Sequence, residues 1–374
     1  MPDTVRLDPI EGISRAFMPP ERGPGGEDPY PCMAPFLATG AYRALHANEI
    51  AALVKNGNSA ENWAEVFVTE TFSPNLIANC EFYGRVLIGD LAPRFIAYHD
   101  LRLPVGIRNS TIMSCRIGDN VAIRDVHYLA HYVIGDACIV FNVDEMVCTN
   151  HAKFGNGIVK EGEPEEVRIW LEVANENAGR KILPFDGLLP ADAYLWSSHR
   201  SDPGFLARLV GITEAGFSTR RGVLGEIGER TVIKDCRILK DVRIGPAAYV
   251  KGANKLKNIT ILSSAAEPSQ IGEGVELVNG IVGHGNRIFY EAKAIRFVTG
   301  RNVQLKYGAR LLNSVIGDNS TVSCCELLNS LLFPFHEQHH NNSFLIAATV
   351  MGQANIAAGA TIGSNHNSRG PDGE

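Results

Sequence analysis

An isoleucine followed by glycine returns along this chain at intervals near multiples of six. The clearest blocks are Ile88-Gly89-Asp90, Ile117-Gly118-Asp119, Ile134-Gly135-Asp136, Ile227-Gly228-Glu229, Ile244-Gly245-Pro246, Ile271-Gly272-Glu273, Ile316-Gly317-Asp318 and Ile362-Gly363-Ser364. That period is the signature of a parallel β-helix: each hexapeptide supplies one short strand and one corner, and three of them close a coil of roughly eighteen residues. Ile117, Ile123 and Leu129 keep strict spacing, and Ile134, Val140 and Met146 resume it after a slip of one residue. Ile227, Ile233 and Leu239 hold register in the second half, as do Ile244 with Val250, and Phe344, Val350, Ile356 and Ile362. Ile117 to Ile134 and Ile227 to Ile244 are each seventeen apart, so equivalent corners stack with one corner tightened. β-Branched residues dominate these positions, as buried strands require.

A chain of 374 residues exceeds one compact core but suits a solenoid, whose core lengthens coil by coil. The formal net charge of −6 offers no basic face for nucleic acid. No apolar stretch approaches the roughly 20 residues that cross a bilayer, and the N-terminus lacks the apolar run of a signal peptide. The eight cysteines show no paired CxxC spacing and several lie inside apolar strand-like runs, which predicts a reduced cytoplasmic protein with buried thiols.

The expected organisation is a flexible leader over 1–40, N-terminal helices over 41–65, a first β-helix segment over 66–154, an insertion over 155–222, and a second β-helix segment over 223–374. Pro19-Pro20 and Gly23-Pro24-Gly25-Gly26 mark the leader. Asn48 is the predicted N-cap of a helix ended by Gly57, and Asn58 with Glu61 reads as a capping box for a second, carrying Trp63. Within the insertion, Val167 to Val173 and Ile182-Leu183 read as a hairpin, although Val167, Trp170, Leu171 and Ala174 also fit a helix; Pro190 and Pro203 each open a helix. All three tryptophans, Trp63, Trp170 and Trp196, fall outside the hexads, consistent with a prism interior too narrow for large rings.

Three polar clusters carry the candidate chemistry. The first, His336-Glu337-Gln338-His339-His340-Asn341-Asn342-Ser343, breaks the hexads: Leu328 to Phe344 is sixteen residues, so the coil there is expected to bulge. The second is Ser364-Asn365-His366-Asn367-Ser368-Arg369, directly after an in-register hexad. The third is Asn150-His151, just before the insertion. Histidine suits general-base work because its ordinary pKa lies near neutrality, and amides position polar substrates. His127, His131 and His284 sit singly in hexad segments and are expected to be structural.

In architecture the chain resembles the hexapeptide acyltransferases. That resemblance implies a left-handed coil, a homotrimer, a histidine base at a subunit interface, and acyl-CoA or acyl carrier protein along the prism wall. Asn365-His366 is similar to the motif around the catalytic histidine of several sugar O-acetyltransferases, which implies His366 as base, Asn365 or Asn367 orienting the acceptor, and Arg369 on a phosphate. The γ-class carbonic anhydrases also resemble this fold, yet their pair of histidines separated by four residues is missing here, and no metal ligand is assigned. Longer phrases cover nearly the whole chain from Tyr42: Tyr98-His99-Asp100-Leu101, Asn150-His151-Ala152-Lys153-Phe154-Gly155-Asn156-Gly157, Lys251-Gly252-Ala253-Asn254-Lys255-Leu256-Lys257-Asn258, and the clusters at 336–343 and 362–369. They resemble an uncharacterised bacterial family of long hexapeptide-repeat proteins, sometimes labelled as related to UDP-N-acetylglucosamine pyrophosphorylase. The segment before Tyr42 is too short for the α/β domain a nucleotidyltransferase needs. Members of that family look longer at the C-terminus, so either the natural chain is expected to continue past Glu374 or a partner covers the end.

The functional reading is an acyltransferase-like or acetyltransferase-like protein acting on a nucleotide-activated or other sugar, with acetyl-CoA or another acyl donor. His366, His336, His339 and His340 are the candidate bases. Glu337, Asn341, Asn342, Asn365, Asn367, Arg369, Asn150 and His151 are the candidate substrate contacts. The alternatives are a non-catalytic scaffold or sugar-nucleotide-binding module, and a zinc hydratase.

Overall fold

A computed structural model describes residues 5, 7, 13, 17, 28, 30–175 and 179–363. The chain is a parallel β-solenoid: Ile117 pairs with Ile134, Ile134 with Ile227, and Ile227 with Ile244, so the hexad isoleucines stack coil on coil. Each coil turns three corners on residues in the left-handed region. Asp235, Asp241, Ala247 and then Gly252 are separated by six, six and five residues and have φ of 55°, 56°, 57° and 67°. Asparagine, aspartate and glycine recur at these corners because they tolerate that backbone better than branched residues do. Stacked corner side chains bond between coils, the Asn142 amide donating from Nδ2 to the Asp235 carboxylate (2.9 Å) and Asn258 Nδ2 to Asn279 Oδ1 (3.0 Å).

The Ile-Gly-Asp blocks are explained by the approach of successive coils. The Asp119 carboxylate accepts the Asp90 N–H at 2.8 Å, and Asp136 accepts the Asp119 N–H at 2.8 Å. A Cβ on Gly118 would lie 2.7 Å from the Gly135 carbonyl carbon and against the Asp136 carboxylate, so only glycine leaves room.

The interior does hold large rings, contrary to the expectation from the tryptophans. Tyr132 and Phe297 are fully buried in one inward column, each beside a glycine of the adjacent coil: Gly225 faces Tyr132, and Gly280 faces Phe297. The missing Cβ makes the space. Gly280→Ala is therefore expected to cost about 1–3 kcal/mol through overpacking. A thermal midpoint that drops in Gly280→Ala and recovers in Gly280→Ala with Phe297→Leu checks it.

The sixteen-residue interval from Leu328 to Phe344 is not a broken coil. Glu326 pairs with Phe344 and Leu327 with Leu345, an interval of eighteen, and the inward residues are Leu327 and Leu345. Leu328 and Phe344 lie beside them, partly exposed.

At the N-terminal end, α1 (Ala34–Leu37) and α2 (Ala47–Lys55) precede the first coils. The N-cap of α2 is His46, not Asn48, because Glu49 at the third position accepts the His46 N–H at 2.8 Å. Asn58 caps no helix: it is buried, donating to Leu53 O and Ile77 O and accepting from Cys80 N–H. Asn62 caps the short turn Trp63–Glu65 instead. Within the segment expected to be a leader, Phe17, Tyr30 and Met33 are buried in a cluster with Leu87 and Leu224. A hairpin, Phe95–Tyr98 with Leu101–Pro104, leaves one corner and covers Ala122, Ile139 and Val232.

The insertion begins after Val147, and the chain rejoins the coil at Gly225. It contains the antiparallel pair Leu171–Glu172 and Lys181–Ile182, α3 (Pro190–Ser198) and α4 (Pro203–Gly216). Its apolar side, including Leu171, Ile182 and Trp196, packs on Ile281, Val298, Val315 and Leu331, the outward residues of four successive coils. Asn329 locks it in place, accepting the Ala174 N–H at 2.8 Å and donating to Glu172 O at 2.9 Å.

Candidate active site at the root of the insertion

The sequence clusters part company in the folded chain. His336 is fully buried inside the prism, in the same inward column as Asn286 and Ser320. Its backbone N–H donates to Ser320 Oγ (3.1 Å), its ring Nε2 lies 3.0 Å from Gln338 Oε1, and Gln338 Nε2 donates to Ser343 Oγ at 3.1 Å. Burial pushes the His336 imidazole below its ordinary value, partly opposed by Gln338. A side chain sealed in the prism cannot meet a substrate, so His336 is a core residue and not a base. Glu337, His339, His340, Asn341 and Asn342 are on the outside of the same coil; His339 lies 3.5 Å from Glu337 and against the His340 ring. His366, Asn365, Asn367 and Arg369 lie outside the described residues.

Asn150 and His151 sit where the insertion leaves the solenoid. From there to the coil of Phe344 the stack passes six strand spacings, about 29 Å, so the two clusters do not form one site. His151 is half-buried, and its Nδ1 lies 3.1 Å from Asn150 Oδ1. An amide oxygen there selects the tautomer with the proton on Nδ1 and leaves Nε2 as the basic nitrogen. Burial lowers the His151 pKa; the Asp241 and Glu163 carboxylates oppose that, and Lys153 and Arg221 reinforce it.

Around this imidazole is a largely buried set of charges. Asp241, at a left-handed corner, accepts Thr149 N–H (2.6 Å) and Thr149 Oγ1 (2.8 Å), fixing the first turn of the insertion. Lys153 Nζ pairs with Glu163 at 2.9 Å. Burial alone would raise the Glu163 carboxyl, but the Lys160 N–H and the Lys153 ammonium outweigh it and hold it below its usual range. Lys160 donates from Nζ to Ser218 O at 2.6 Å, and burial, helped by Arg243, pushes it down to about 8. Arg243 lies 4.6 Å from the centre of the Phe154 ring and pairs with Glu226 at 3.2 Å. Two shallow depressions of about 280 and 400 Å³ adjoin the root and share Phe36, Val133 and Glu226; Arg220 and Arg221 line the first and Arg243 the second.

Asn150 and His151 were readable from the sequence. Lys160, Glu163, Asp241 and Arg243 were not, because Asp241 and Arg243 arrive from a coil some ninety residues further on. The available signal was the run of charges directly after the Asn-His pair, where the hexads stop.

Cys148, whose thiol burial pushes well above its ordinary value, supplies no nucleophile here. The eight cysteines are free, and all but Cys32 and Cys324 are buried. Among the described residues, no group of three His, Cys, Asp or Glu side chains is placed to hold a metal. Among the same residues, no helix is long and apolar enough to cross a membrane.

Two comparisons bear on this chain. It is 55% identical over 334 residues to an uncharacterized protein of Treponema pallidum (strain Nichols), covering 89% of this chain but 46% of that relative. The chain therefore spans about half the length of the curated relative it matches. Residues 42–370, which include the solenoid and the Asn150-His151 root, match one family throughout, and the chain belongs to that family, described as Domain of unknown function (DUF4954).

Proposed function

We infer that this chain transfers an acyl group to a phosphorylated or nucleotide-activated sugar at the root of the insertion, with His151 as general base. The observation that carries this reading is the Asn150–His151 pair, which leaves Nε2 free to take a proton in a half-buried, cation-rich setting. Nε2 accepts the proton of the acceptor hydroxyl or amine as that atom bonds to the acyl carbon. The thioester C–S bond then breaks, and the proton passes from His151 to the departing thiolate. Arg220 and Arg221 supply planar donors for phosphate oxygens of either substrate. Acetyl-CoA or another acyl thioester is the donor in this scheme. Cytoplasmic location and a homotrimer, with no nucleic-acid or membrane partner, belong to the same proposal.

The test is acetyl-CoA consumption across a panel of sugar phosphates and nucleotide sugars, run beside thermal-shift screening with CoA, acetyl-CoA and the same sugars. Turnover with at least one acceptor and stabilisation by CoA are expected. Stabilisation by a sugar nucleotide, with neither CoA binding nor turnover, replaces the transferase with a binding module.

A further inference from the structure

The corner column of Asp235 and Gly252 carries a feature the transferase reading does not use. Tyr290 and Tyr307 occupy it in successive coils, with φ of 54° and 52°, a conformation that bulky residues rarely adopt. Their rings stack with centroids 5.1 Å apart and planes 12° from parallel, although the residues are 49% and 58% exposed. The next coil is one residue short at this place: Lys306 pairs with Ser323 across seventeen residues, but Arg310 pairs with Glu326 across sixteen, and Cys324 takes the corner. In the coil after that, Glu326 pairs with Phe344 across eighteen, and the extra length is the turn containing Asn341 and Asn342.

A short corner between an aromatic one and a long one leaves a slot of about 530 Å³, bordered by Tyr307, Arg310, Cys324, Glu326, Asn341 and Asn342. Two strand spacings, about 9–10 Å, separate the Tyr307 coil from that of Asn342. One ring in van der Waals contact at about 3.5–4 Å on each face fills such a gap.

We propose that this slot binds a single pyranose ring of a glycan, stacked on Tyr307 and hydrogen-bonded at its rim by Asn341, Asn342, Arg310 and Glu326. A pyranose presents apolar C–H faces and a complete rim of hydroxyls. The slot offers one aromatic side, and amide, guanidinium and carboxylate groups that donate and accept around it. A nucleobase has two π-faces and a polar edge, and would call for a second aromatic side. The slot lies on a different corner from His151, four to six strand spacings or about 19–29 Å along the stack, so it stands whether or not His151 is a base.

The full chain is titrated with N-acetylglucosamine, glucose, mannose, galactose and their disaccharides, and with uridine and adenosine, by saturation-transfer NMR and calorimetry. At least one pyranose is expected to saturate, to slow alkylation of the half-exposed Cys324, and to bind Tyr307→Phe as it binds the parent chain. Tyr307→Asn, whose side chain suits the left-handed backbone, is expected to weaken binding about tenfold or more with an unchanged thermal midpoint. The proposal is overturned if no pyranose saturates, if Tyr307→Asn binds as tightly as Tyr307→Phe, or if the nucleosides are the ligands that protect Cys324.

Discussion

Replacing His151 with glutamine is expected to lower acyl-transfer turnover by about 10²–10⁴-fold, the range over which a positioned base contributes. The fold should hold: the side chain is half-buried, and it hydrogen-bonds the adjacent Asn150, so little of the solenoid depends on it. The pH profile separates a base from a structural histidine. With the His151 pKa held below the ordinary imidazole value by burial, the acid limb of the rate should lie at lower pH than that of an exposed histidine. Lys153→Met and Arg221→Met each remove a positive charge that disfavours the imidazolium, so each should move the acid limb to higher pH. Asn150→Asp places a negative charge at Nδ1 and should move it further the same way. Equal turnover in His151→Gln and the parent chain, or an acid limb unmoved in all three neighbours, would remove His151 from the reaction.

How far the sequence can be read depends on how strongly each residue's direction is constrained. Ile117, Ile134, Ile227 and Ile244 point inward as expected, because an isolated aliphatic residue beside glycine and a charge has one favourable direction. Where two apolar residues adjoin, as in Leu327-Leu328 and Phe344-Leu345-Ile346, either register satisfies the period, and spacing alone does not tell the inward member from the outward one. His336 departs from its expected exposed position for a related reason. Its column already holds Asn286 and Ser320, so a polar residue points inward there at low cost, and polarity no longer reports exposure. The rings of Tyr132 and Phe297 became admissible only through Gly225 and Gly280, partners in adjacent coils that hexad spacing alone does not link to them. The His151 environment was half legible for the same reason: Asn150 is its neighbour in sequence, whereas Asp241 is its neighbour only through the stacking that the insertion interrupts.

Acid should destabilise this chain before its carboxylates titrate, and His131 should carry much of the effect. It stands at a left-handed corner with φ of 62°, its ring stacked on Phe17 at 4.1 Å and its Nδ1 3.1 Å from Cys148 O. Its Nε2 is buried without a partner. Burial pushes its pKa from 6.5 down to about 4, with the Cys148 carbonyl opposing. Above pH 6.5 the imidazole is neutral both folded and unfolded, so no penalty exists. Between pH 6.5 and about 4 the unfolded chain takes up a proton that the folded chain refuses, and stability falls as the pH falls. The full shift corresponds to about 3 kcal/mol, reached only near the lower end of that window. His131→Asn keeps a residue suited to the left-handed corner but carries no titrating group. Thermal or urea unfolding of both proteins at several pH values should show the parent losing stability relative to His131→Asn through this window, with the difference constant above pH 7. Parallel curves from pH 7 to pH 4 would mean that the buried ring takes its proton without cost, through water reaching Nε2 or through a shift of the Phe17 ring stacked on it.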